Sequence, residues 1–183
     1  MGADEEDELT AFARLAPPLR RLFIRFDEAE AANDTLRTAH GYWNMKRNAH
    51  LLPALSDIRL DELVPYKSRL FLFEKHDDGD WALRFAGDRV RDELRLRNGE
   101  PRLSALADRR LAARLRRLFR YIEDRAMAVS ATFTAHGRTV EILAAPLGTN
   151  NQEVGAIFGG LAEIATARPL ASPAKQRQHK GAA

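Results

Sequence analysis

Apolar and polar positions change period several times along the chain. Residues 1–8 are acidic, with a run from Asp4 to Glu8 in which every side chain is a carboxylate, and read as a disordered start. Leu9 to Leu15 reads as a short helix ended by Pro17-Pro18. Leu19, Leu22, Phe23 and Phe26 then recur at helical spacing, with Arg20, Arg21 and Arg25 beside them. A lone amphipathic helix of that length is marginal in water, so this stripe needs a docking surface. Asn33 or Asp34 is placed to cap a helix from about Thr35 to Ala49, which Leu51-Leu52-Pro53 ends. Asp57 to Leu63 reads as a loop and a short turn of helix, closed by Pro65.

From Arg69 the pattern turns to β. Arg69 to Lys75 is apolar and β-rich, His76 to Asp80 is a polar turn containing Gly79, and Trp81 to Ala86 alternates, with Trp81, Leu83 and Phe85 predicted on one face. Gly87 stops that strand. Short helices broken at Asn98-Gly99 and Pro101 follow. Asp108 then caps a strong helix to about Asp124, with Leu111, Leu115, Leu118 and Ile122 on one side and arginines on the other. Three further strands are predicted: from Met127 with a turn at His136-Gly137, from Thr139 to Ala145, and from Val154 to Glu163.

Two strands, then helices, then three strands is an α+β order, and the hairpins force antiparallel pairing. The simplest burial is one five-stranded antiparallel sheet with helices on one face and an N-terminal helical extension. The organisation is an acidic and helical extension over residues 1–34, a domain over 35–165, and a disordered tail over 166–183, where Pro, Ala and Lys occur without periodicity.

Composition narrows the function classes. There is no cysteine among the 183 residues, which removes disulfides, thiolate metal sites and cysteine nucleophiles. No apolar run reaches the ~20 residues that span a bilayer, and the acidic start is the opposite of a signal peptide. A cytoplasmic protein without membrane contact is expected. The net charge is only +3, so the arginines read first as solvated helix faces, and no specific nucleic-acid binding is expected.

Several short motifs occur in an order that resembles a family of small PAS-domain proteins found in alphaproteobacteria. They are Tyr42-Trp43 with Lys46-Arg47, then Pro53, then Ser56-Asp57-Ile58. The strand Leu70 to Glu74 follows, then Trp81 to Gly87 with its aromatic, arginine and glycine strand-end. Last come Pro146-Leu147 and Ile157 to Leu161. The resemblance covers about residues 36 to 163. Asp88 stands where that family usually has a small hydroxyl residue, and the segment Glu93 to Gly99 departs from its glycine pattern. The resemblance implies a PAS-like sheet, a sensory or protein-interaction role in signal transduction, and a ligand pocket walled by the short central helices.

The large rings Trp43, Phe73, Trp81, Phe85, Phe119, Phe133 and Phe158 read first as core. As lining of a PAS-type cavity, the candidates are Phe73, Phe85, Gly87, Phe119 and Phe158. The interface candidates are Leu19, Leu22, Phe23 and Phe26, with Arg84 on the other side of the sheet placed for a bidentate contact. The five histidines have no metal-ligand spacing, so no metal site is expected and the identity of any cofactor stays open. No Gly-x-Ser-x-Gly or phosphate-loop motif occurs, and only Glu74, Glu141 and Glu163 offer a base on the strands, so a non-enzyme is expected. The expected partners are a second copy of the chain, a regulatory protein and a small-molecule ligand. The alternative is a nucleic-acid-associated protein using the arginines from Arg109 to Arg120.

Overall fold

A computed structural model describes residues 33–47, 51–96, 101–135, 138–149 and 153–164. The stripe Leu19, Leu22, Phe23 and Phe26, the short helix Leu9 to Leu15, and the tail lie outside the described residues.

Helix α1 runs Asp34–Arg47, and Asn33 caps it by accepting from the Thr35 amide at 2.9 Å. Two 3₁₀ segments follow, Leu55–Asp57 and Leu60–Arg69. The second is longer than the loop and short turn expected there. Its backbone leaves helical geometry at Leu63, two residues before Pro65. Strands β1 (Leu70–Lys75) and β2 (Trp81–Ala86) form the hairpin. Gly79 sits in its turn at φ +78, a conformation that suits glycine. Helix α2 (Asp88–Leu94) and a 3₁₀ turn (Leu103–Ala105) lead to α3 (Arg109–Arg125). Asp108 caps α3 through Oδ1, which accepts from the amides of Arg110 at 2.9 Å and Leu111 at 3.0 Å. Strands β3 (Val129–Ala135), β4 (Arg138–Gly148) and β5 (Val154–Glu163) complete the chain order.

The five strands make one antiparallel sheet in the order β2-β1-β5-β4-β3. The last strand therefore lies in the middle, between the two hairpin groups. The segment after α2 guards the β2 edge: the Leu83 amide donates to the Pro101 carbonyl at 3.1 Å, and Ala82 bridges Arg102.

Both faces of the sheet are covered. On the inner face, Leu111, Leu115, Leu118, Phe119 and Ile122 of α3 join Phe71, Phe73, Trp81, Leu83, Ile142 and Ile157 in one apolar cluster. Truncating a buried leucine such as Leu115 to alanine costs about 2–5 kcal/mol. On the outer face, Leu36, Ala39, Tyr42 and Trp43 of α1 share a second cluster with Leu63 of the 3₁₀ segment and with Leu143, Ala145 and Phe158. The helices after β2 do pack on one face as expected; α1 lies on the other.

The alternation predicted for β2 breaks at Arg84. Leu72 pairs with Phe85 and Phe73 pairs with Leu83, so Arg84 is an extra residue in β2 without a counterpart on β1. Such a bulge reverses the side-chain alternation beyond it. Trp81 and Leu83 therefore face α3, whereas Phe85 packs on the outer cluster.

Candidate functional site

Four rings meet at the centre of the inner layer, with Phe133 of β3 in the same cluster. Phe71 and Phe73 come from β1, Trp81 from β2 and Phe119 from α3. Phe119 meets Phe73 and Trp81 edge-on, with ring centroids 5.2 Å apart in each case, and Phe71 meets Phe73 at 5.6 Å. All four are at most 2% exposed. Edge-to-face contact at these separations is the favoured geometry for aromatic pairs.

The outer layer is held by polar anchors at the C-terminal half of α1. The Trp43 indole donates to the Pro146 carbonyl at 2.8 Å. The Tyr42 hydroxyl accepts from the Arg59 amide at 2.8 Å and donates to the Arg59 carbonyl at 3.3 Å. Burial pushes the Tyr42 phenol above its usual pKa. Lys46 pairs with Glu62 at 2.8 Å, tying α1 to the 3₁₀ segment; the hydrogen bond raises the ammonium and lowers the carboxyl. Four residues along from each ring, Lys46 lies over Tyr42 at 5.1 Å and Arg47 over Trp43 at 5.7 Å. The Pro53 carbonyl accepts from the Gly148 amide at 2.9 Å, and Asp57 accepts from the Ala54 amide at 3.0 Å.

Two glycines fit this frame by close approach. A Cβ on Gly87 would lie 2.1 Å from the Lys67 carbonyl oxygen, so only glycine lets α2 start against the 3₁₀ segment. A Cβ on Gly160 would meet Leu36 of α1 at 2.9 Å, so glycine there lets the helix approach the sheet closely.

The cavity candidates do not converge. Phe73 and Phe119 touch in the inner layer, Phe85 and Phe158 lie in the outer cluster, and Gly87 stands at the junction of β2 and α2. Phe158 packs against Tyr42 at 6.1 Å. The bulge at Arg84 moves Phe85 away from the other inner-face candidates, and alternation alone cannot reveal a bulge. Of the interface candidates, Arg84 is exposed and forms an ion pair with Glu74 on the neighbouring strand; the other four lie outside the described residues.

Of the strand carboxylates, Glu163 pairs with Arg138 at 3.3 Å, and Glu141 is buried and accepts from the Ser130 hydroxyl at 3.1 Å. Among the described residues no group of His, Asp and Glu is placed to hold a metal ion, and no helix is long and apolar enough to cross a membrane. Sequence reasoning missed the outer layer as a docked unit. Its signal was present in the Tyr42-Trp43 and Lys46-Arg47 spacing, which stacks each cation over the ring one turn earlier.

A family model described as a PAS domain matches residues 31–162, most of the chain. No curated protein and no solved structure matches it.

Proposed function

The chain belongs to the PAS domain family, and we propose that it works as a regulatory module whose output is contact with another protein. One observation carries this reading. The layer between the sheet and α3 is filled by the chain's own rings, Phe71, Phe73, Trp81 and Phe119, in mutual edge-to-face contact. A small-molecule site needs a concave apolar space with a few convergent polar groups. Rings at most 2% exposed and in edge-to-face contact with one another belong to the core, which leaves the exterior to carry the function.

The family-like motifs agree with this. Tyr42, Trp43, Pro53, Asp57 and Pro146 fix the outer layer. Their order also supports placing the chain among the small cytoplasmic PAS proteins of alphaproteobacteria.

Native mass spectrometry of the full chain tests the reading. The expected mass is that of the polypeptide, alone or in multiples. A small molecule retained in stoichiometric amount contradicts it.

A further inference from the structure

We propose that the solvent face of α3 is a docking surface for an acidic polypeptide segment of a partner protein. The proposal rests on reading the chain as an interaction module, and it supplies the chemistry of the partner. Helix α3 carries seven arginines in Arg109–Arg125 and only Glu123 and Asp124 in opposition. Its buried residues Leu111, Ala112, Leu115, Leu118, Phe119 and Ile122 turn toward the sheet. Arg110, Arg116, Arg117 and Arg120 are exposed and form no ion pair among the described residues. Several cations elsewhere on the surface do pair with carboxylates: Arg37 with Asp34, Lys67 with Asp61, Arg102 with Asp78, Arg138 with Glu163. Of the two acids in the last turns of α3, Glu123 pairs with Lys75 of β1.

This arrangement works against the helix itself. Arg116 and Arg120 are one turn apart on one row, as are Arg110 and Arg114, and Arg117 lies three residues from both Arg114 and Arg120. Like charges at these spacings repel. Arg109 and Arg110 stand in the first turn, where the helix dipole disfavours cations, and the capping Asp108 is the one acid at that end. A bound polyanion relieves both penalties, and guanidinium groups hold carboxylates in bidentate pairs.

The chemistry favours a carboxylate-rich peptide over a nucleic acid. The exposed row consists of arginines, without an aromatic ring for base stacking. Tyr121 at its flank is half-buried and already covered by Arg125 at 5.9 Å. From Arg110 to Arg120 the row spans about 15 Å of helix, the length of a short extended acidic run.

The test is fluorescence anisotropy of the full-length protein with a labelled Asp-Glu-Glu-Asp-Glu peptide. A matched Asn/Gln peptide, duplex DNA and single-stranded RNA are measured in parallel. Binding is expected for the acidic peptide alone, falling with salt. Arg116→Glu with Arg120→Glu, and separately Arg110→Glu with Arg117→Glu, should each weaken it about tenfold or more, with the circular dichroism spectrum and melting temperature retained. Unchanged peptide affinity in both folded variants overturns the proposal. So does arginine-dependent binding of DNA or RNA that is tighter than that of the peptide. A gain in peptide affinity on neutralising Asp4 to Glu8 would show this chain's own acidic run on the face, and would overturn the assignment to a partner. A retained small molecule in native mass spectrometry would refute the module reading while leaving these affinities unmoved.

Discussion

The indole nitrogen of Trp43 donates to the carbonyl oxygen of Pro146 at 2.8 Å, a buried bond across 103 residues of chain. It fixes the C-terminal half of α1 to β4, next to the central strand β5. A buried carbonyl left without a donor costs about 1–3 kcal/mol. Trp43→Phe keeps the apolar ring and removes the donor, so it should lower stability by about that amount, read as a drop in the denaturation midpoint at constant slope. A change below about 0.5 kcal/mol, the scatter of neutral surface substitutions, would show that the bond does not hold α1 in place.

This bond marks the boundary of what the sequence reveals. The β5 limits, the hairpin strand β2, the Asp108 cap and the α3 stripe follow from local period and capping chemistry, and the structure has them there. The Arg84 bulge does not, because an extra residue leaves the local pattern intact and is defined only by the partner strand. Nor does the face on which α1 docks. Its aromatic pair needs a surface, but which surface depends on Gly160 admitting Leu36 and on Pro146 offering a carbonyl, contacts made far along the chain. The cavity candidates were dispersed for the same reason.

His40 gives a pH signature. It lies half-buried on α1, stacked on Trp43 at 6.0 Å with the rings 16° apart, and burial holds its pKa below the usual 6.5. The folded state therefore binds fewer protons than the unfolded state around that pH. Its contribution to stability is present above 6.5 and is lost as pH falls through the folded value. Unfolding titrations of the native chain should show this loss, and His40→Asn should flatten it. A His40 midpoint above 6.5 by NMR would reverse the sign and contradict the account.

The stripe Leu19, Leu22, Phe23 and Phe26 lies outside the described residues and carries a proposal about assembly. Buried rings dominate interface energies, so Phe23 and Phe26 are expected to anchor contact with a second copy. Full-length protein should sediment as a dimer, and Leu22→Glu with Phe26→Glu as a folded monomer. A native chain that is monomeric at about 100 μM, well above the micromolar range of a specific interface, contradicts the dimer.

Phe119 bears most directly on the claim that the inner layer is core. It is fully buried and meets both Phe73 and Trp81 at 5.2 Å. A ring that fills a core leaves a cavity when removed, whereas a ring that lines an existing ligand space leaves that space somewhat larger. Chemical denaturation of Phe119→Ala separates the two: a loss of about 3–5 kcal/mol is predicted for a packed inner layer, and a loss under about 1 kcal/mol at an unchanged slope would contradict it.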